Sequence, residues 1–175
     1  ASRLLATVAM RHGLDVKCAD VHGMAQRGGS VMSQLRMGAR VFSPVIPMGE
    51  AEILLALEKL EALRYAHWAR PGARVWINDM MIQPVSVSSG AAAPPEDLDA
   101  RLREVFAAPR FLDAQRLALE AGSPRASNTV LLGALSTDLP FETGEWEAAI
   151  RETVNPKFVD LNLKAFWKGR QQAAL

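Results

Sequence analysis

Residues 52–78, EILLALEKLEALRYAHWARPGARVWIN, decide the fold. The apolar run 52–57 suits either a strand or a helix. It is read here as a strand leading into a helix over 58–68. Pro71-Gly72 ends that helix, because proline lacks the N–H that a helix needs and glycine accepts turn geometry. Residues 74–78 (RVWIN) then form a second strand. A strand, a helix and another strand in that order predict parallel pairing across a crossover.

The same alternation continues on both sides. Residues 85–87 read as a short strand. Pro95 starts a helix whose Leu98, Leu102, Val105 and Phe106 follow the i, i+4, i+7, i+8 pattern. Residues 111–113 read as another strand. Upstream, Leu4, Leu5, Val8 and His12 share one helical face that Gly13 terminates, and 16–19 reads as a short strand whose Cys18 is small enough to be buried. Residues 30–37 and 40–46 are expected to pair as a hairpin around Gly38, closed by Pro44 and Pro47.

The last third reads as helical. Residues 114–121 stop at Gly122. Asn128 is expected to cap a helix over 129–139 that is apolar almost all round and therefore buried. Thr143 is expected to cap a helix carrying Trp146, Ile150 and Val154. Asn155-Pro156 opens the last helix, with Phe158, Leu161, Ala165 and Phe166 inward and Gly169 as its stop. The expected architecture is α/β: a three-layer α/β/α arrangement with a mostly parallel mixed sheet, a β-hairpin and a helical C-terminal third. It forms one domain over residues 1–175, and 88–95 (SSGAAAPP) reads as a surface loop within it.

Composition narrows the function. The 175 residues are 49% hydrophobic and 22% charged, ordinary values for a chain with a real core. With 20 Lys+Arg against 19 Asp+Glu, the net charge is +1, so there is no argument for electrostatic binding of nucleic acid. No apolar run approaches the roughly 18 residues of a membrane span, and no signal peptide is visible. The single cysteine allows no intramolecular disulfide, no cysteine-ligated iron–sulfur cluster and no cysteine-rich zinc site. A lone thiol fits a cytoplasmic protein.

Most signatures of chemistry are absent. His12, His22 and His67 have no partner at metal-ligand spacing, and His12 and His67 read as residues of a helix's last turn, favoured by its dipole. No G-x-S-x-G, Walker loop or complete G-x-G-x-x-G occurs. Glu50 and Glu52 form an acidic pair that reads as solvated, as do Glu58, Glu61, Lys59 and Arg64. Residues 22–30 are the exception. In Arg27-Gly28-Gly29-Ser30 a guanidinium stands beside two glycines whose N–H groups can turn toward one point, a nest for phosphate or carboxylate. The alternative is a tight turn with Arg27 in solvent. Met24, Met32, Met37 and Met48 lie close in sequence and are expected at an edge covered by another chain, with core filling as the competing reading.

The stretch 21–31 (VHGMAQRGGSV), then Ser43-Pro44, 49–52 (GEAE) and 54–65 (LLALEKLEALRY), resembles the gamma-type domain of 2-oxoacid:ferredoxin oxidoreductases, in the form found in indolepyruvate:ferredoxin oxidoreductases. Pro71-Gly72, 117–122 (LALEAG), 128–135 (NTVLLGAL), Asn162 and Ala165-Phe166 extend the likeness to about residue 169. Members usually begin with a further strand and a Gly-x-Gly-Gly-Gln-Gly loop, which this sequence lacks.

The resemblance implies a subunit that binds no cofactor itself. Thiamine diphosphate and 4Fe-4S clusters are then expected in a large partner subunit, which decarboxylates an aryl 2-oxoacid oxidatively to an acyl-CoA and passes electrons to ferredoxin. His22, Gln26, Arg27, Gly28, Gly29 and Ser30 are expected to face substrate, coenzyme A or cofactor at that junction. Arg27 would hold the anion, and His22 and Gln26 would orient it. The isolated chain is left free to form a homodimer. Two other readings remain: a stand-alone module binding a nucleotide or coenzyme A, and the gamma subunit of a pyruvate or 2-oxoisovalerate oxidoreductase.

Overall fold

The computed structural model describes residues 1–22, 31–91, 93 and 95–175. Helix α1 (Ser2–Arg11) is followed by strands β1 (Asp15–His22), β2 (Val31–Gly38) and β3 (Ala51–Ala56), helix α2 (Lys59–Arg64) and strand β4 (Ala69–Asn78). Next come α3 (Val85–Ser88), α4 (Leu98–Val105) and β5 (Pro109–Leu112), then the helices α5 (Ala114–Ala121), α6 (Ser127–Leu135), α7 (Thr143–Thr153) and α8 (Val159–Ala173). The chain divides into two compact units, one of Ala1–Pro47 with Arg116–Leu175, the other of Met48–Gln115.

In the Met48–Gln115 unit, β3, β4 and β5 form a parallel sheet in that order, as residues 52–78 predict. Ala56, Val75 and Ile77 from the sheet pack with Ala62 of α2 and with Leu98, Leu102 and Phe106, on and just after α4. The Val, Ile, Leu and Phe side chains among them each contribute roughly 1.5–3 kcal/mol when taken fully out of water. Val105, expected on the same face, is exposed, because the buried stripe follows i, i+4, i+8. Glu58 is not a solvated acid but the buried N-cap of α2, accepting the N–H of Leu60 at 2.9 Å and of Glu61 at 2.6 Å. Pro71-Gly72 is not a break before β4. Ala51 faces Ala69 while Ile53 faces Arg74, so the intervening residues of β4 bulge outward, with Gly72 at φ +75°. Residues 85–87 are helical rather than extended. Their β-branched alternation yields to the hydroxyls of Ser88 and Ser89, which donate to the carbonyls of Val85 and Ser86 and close a turn.

The other unit contains the hairpin, but its strands differ from those expected. β2 pairs antiparallel with β1, from Asp15 opposite Gly38 to His22 opposite Val31. β1 therefore extends through Val21 and His22, and residues 40–46 form no strand. Asp15 and Gln34 accept the N–H groups of Val41 and Ile46, Arg36 donates to the carbonyls of Ser43 and Val45, and Pro44 and Pro47 have no N–H to add to a ladder. Parallel and antiparallel pairing accordingly fall in separate sheets of three and two strands.

The C-terminal helices follow the predicted order with shifted ends. Asn128 lies inside α6, because Ser123 caps a 3-10 turn over Pro124–Ala126 that starts the helical run earlier. Glu142, in a reciprocal box with Glu145, occupies the N-cap of α7 where Thr143 was expected. Gly169 does not stop α8. A Cβ there would collide with the Val130 carbonyl, and one at Gly133 with the Phe166 carbonyl, so the two glycines let α6 and α8 touch backbone to backbone. Phe166 and Trp146 stack with centroids 5.6 Å apart in this core, whereas Phe158, expected inward, is exposed.

Candidate functional site

The β1–β2 ribbon places the two ends of the glycine-rich stretch side by side, since His22 and Val31 are register partners. Residues 23–30 lie outside the described residues, and with them Met24, Gln26, Arg27, Gly28, Gly29 and Ser30. Only the backbone of His22 is described. The ribbon packs against α1 and is open to solvent toward its end. Val21 and Val31 near its end are exposed, as are Phe42 and Val45 in the segment after it, while Met32 and Met37 are half-buried. Ser33 donates to Asp20 across the ribbon at 2.5 Å. Cys18, expected to be buried, is exposed. Partial burial and the neighbouring Asp20 carboxylate both push its thiol pKa up, which makes it a poor nucleophile.

The remaining candidates have structural partners. His12 follows the last turn of α1, with Nδ1 3.0 Å from Glu145 Oε1 and its ring edge-on to Phe141 at 5.0 Å. It joins the end of α1 to the capped start of α7, beside the Arg11–Glu152 pair at 2.8 Å. Burial acts to raise the Glu145 pKa. The Glu142 N–H and His12 outweigh it, and the carboxyl ends below its ordinary value. His67 sits in a 3-10 turn against Trp68, and Glu52 pairs with Arg70 at 3.0 Å. Among the described residues no group of three His, Cys, Asp or Glu side chains is placed to hold a metal. No described helix is long and apolar enough to cross a membrane.

One cluster was not anticipated. At the carboxyl ends of the parallel strands, where open α/β sheets gather ligands, Lys59 Nζ lies 2.5 Å from Asp79 and 2.8 Å from Asp99. Burial lowers the Lys59 pKa, but its bonds to the two aspartates prevail and raise it. Beside it Asn78, 3% exposed, donates to the Leu57 carbonyl at 3.1 Å and accepts the Ala114 N–H at 3.0 Å. With both its aspartates engaged, the ammonium braces this edge of the sheet. The available signal was Asn78-Asp79 directly after an apolar strand.

Comparison with known proteins settles the class. The family described as pyruvate ferredoxin/flavodoxin oxidoreductase matches residues 1–172. A protein of Archaeoglobus fulgidus named indolepyruvate oxidoreductase subunit IorB is 44% identical over 98% of this chain and 87% of its own length. One of Pyrococcus horikoshii with the same name is 40% identical over 99% and 88%. Among solved structures, the keto/oxoacid ferredoxin oxidoreductase gamma subunit of Geobacter sulfurreducens superposes with a TM-score of 0.70 at 21% identity, covering 99% of this chain and 89% of that one. The 2-oxoglutarate:ferredoxin oxidoreductase of Magnetococcus marinus gives 0.68 at 21% identity, covering 98% of this chain but 28% of its own.

The fold is therefore that of an oxoacid:ferredoxin oxidoreductase gamma subunit. The chain belongs to the pyruvate ferredoxin/flavodoxin oxidoreductase family, as a subunit of a 2-oxoacid:ferredoxin oxidoreductase.

Proposed function

We propose that this chain is the cofactor-free subunit of an indolepyruvate, or aryl 2-oxoacid, oxidoreductase of the cytoplasm. Its large partner subunit carries thiamine diphosphate and 4Fe-4S clusters and passes electrons to ferredoxin. The observation that carries this reading is the 44% identity to a protein named for indolepyruvate, maintained over 98% of the chain. The family match spans both compact units, which supports reading 1–175 as one domain. One cysteine cannot ligate a cubane cluster, which supports assigning the clusters to the partner. The exposed apolar side chains of Val21, Val31, Phe42 and Val45 support a partner at the ribbon.

In the assembled enzyme, Arg27 binds an anionic group of substrate, coenzyme A or cofactor. Gly28 and Gly29 let the backbone approach, and His22, Gln26 and Ser30 orient the group by hydrogen bonding. Thiamine diphosphate supplies the carbanion chemistry when bound in the partner. Pull-down from the native cell, then turnover with indolepyruvate, pyruvate and 2-oxoisovalerate, tests the assignment. Indolepyruvate is expected to give the highest kcat/KM. Arg27→Ala is expected to raise the KM for indolepyruvate or for coenzyme A by about tenfold or more. An unchanged KM for both removes the role given to Arg27.

A further inference from the structure

Helices α5 and α8 are joined by an ion pair and a close approach. Glu120 of α5 is held by Arg116, one turn before it, at 2.5 Å and by Lys168 of α8 at 2.8 Å. Leu161 of α8 packs over Gly122 at the end of α5, where an added Cβ would lie 3.0 Å from Leu161 Cδ1. α8 turns Val159, Ala165, Phe166 and Gly169 inward. Lys157, Leu161, Lys164 and Lys168 recur at i, i+4, i+7 and i+11, so they run as one stripe along its outer side. Lys157 stands in the 3-10 turn that leads into α8, where Asn155 Oδ1 accepts its N–H at 3.1 Å and fixes the backbone.

This face holds more cations than its own carboxylates can pair. Glu120 is already shared, and first Lys168 and then Arg116 hold its carboxyl below its ordinary pKa against an opposing effect of burial. The side chains of Lys157, Lys164 and Arg125, the last in the turn that follows Gly122, are exposed and meet no carboxylate among the described residues. Asp160, the other acid here, offsets one of these charges. Apolar surface lies among them. Phe158 is 52% exposed, and Leu119, at i+3 from Arg116, is 57% exposed. Unpaired cations around exposed apolar side chains suit a protein segment that brings both carboxylates and apolar groups. A nucleic acid would call for a broader basic surface than a chain of net charge +1 supplies.

We propose that the α5–α8 face docks an acidic segment of the partner subunit. Lys157 and Lys164 pair with its carboxylates, and Phe158 seats against its apolar side chains. That the segment belongs to the partner subunit rests on the function given above, whereas its acidic character rests on this face alone.

The test measures the Kd between the full chain and the large subunit at low and high salt. Lys157→Glu combined with Lys164→Glu is expected to raise the low-salt Kd about tenfold or more and to flatten its salt dependence. Both positions are exposed, so the denaturant unfolding curve is expected to stay as in wild type. Lys157→Arg combined with Lys164→Arg keeps both charges and is expected to stay within about twofold of wild type. Phe158→Ala is expected to raise the Kd about fivefold at either salt concentration. Arg151→Glu, which reverses an exposed charge on α7, is expected to change it by less than about twofold.

If a thiamine-binding subunit co-purifies with the chain and binds the double glutamate variant as tightly as wild type, the proposed function stands and the docking face is overturned. An equal rise in Kd for Arg151→Glu overturns it too, because net charge alone then governs assembly. With the Kd unchanged, loss of self-association or of single-stranded RNA binding in the double glutamate variant would give the face to a second copy or to nucleic acid, and the proposal fails. If no thiamine-binding subunit co-purifies, the proposed function falls and the occupant named here falls with it.

Discussion

Around the β3–β4–β5 sheet, Ala62, Val75, Ile77 and Leu102 are sealed from water, whereas along the β1–β2 ribbon Val21 and Val31 face it and the buried residue of β2 is a glutamine. One region is held chiefly by apolar area; the other packs against α1 and adds side chains bonded to backbone. Apolar packing is dense, non-directional and tolerant of small rotations of its parts. A side-chain-to-backbone bond fixes a distance and an angle, and it fails at once if its acceptor is removed. The two restraints therefore answer to different substitutions: the first weakens with the apolar area removed, the second with the loss of one partner.

The sharpest way to break that contrast is to empty the core. Leu102→Ala in α4 is expected to destabilise the protein by about 2–5 kcal/mol, read from denaturant unfolding. Phe42→Ala, on a side chain 83% exposed beside the ribbon, is expected to change stability by less than about 0.5 kcal/mol. Comparable losses at the two positions would show that the ribbon also rests on apolar burial.

A smaller effect is expected where the parallel sheet borrows the ribbon's device. Asn78→Leu leaves the Leu57 carbonyl and the Ala114 N–H without their partner. Ala114 is buried, so its unpaired N–H costs about 1–3 kcal/mol, whereas Leu57 is exposed and its carbonyl can turn to water. A variant as stable as wild type would mean that the apolar side chain compensates fully, and that Asn78 only fills space.

The sequence disclosed these regions unequally, and for physical reasons. β3, α2 and β4 were legible because apolar runs separated by Pro and Gly report burial directly, and burial is what holds them. The helical stripe through Leu98 and Leu102 was legible on the same ground. The partner of β2 was not. Register in a ribbon with one buried residue depends on single bonds such as Asp15 to the Val41 N–H, and such pairs leave no periodic trace. Gly169 looked like a stop because glycine serves helix ends and close approaches alike, and only the Val130 carbonyl beside it distinguishes the two. The Arg27-Gly28-Gly29 motif showed in sequence as a candidate anion nest, while the Lys59–Asp79–Asp99 brace joins residues distant in the chain and escaped notice.

The smallest expected effect concerns pH at the base of the ribbon, where Asp15 accepts the Val41 N–H. The Asp15 carboxyl is held below the ordinary carboxylate range first by its bond to the Lys17 ammonium and then by the Val41 N–H, against an opposing effect of burial. A carboxyl with a depressed folded-state pKa contributes stability above its unfolded value and loses it as pH falls through the folded value. Acidification below the ordinary carboxylate range is therefore expected to loosen Val41 from the ribbon as Asp15 is protonated. The Val41 amide resonance should follow the protonation of Asp15 on an acid titration, and Asp15→Asn should abolish that response. If the Val75 and Ile77 amides shift at the same pH as Val41, acid acts on the whole fold rather than at Asp15.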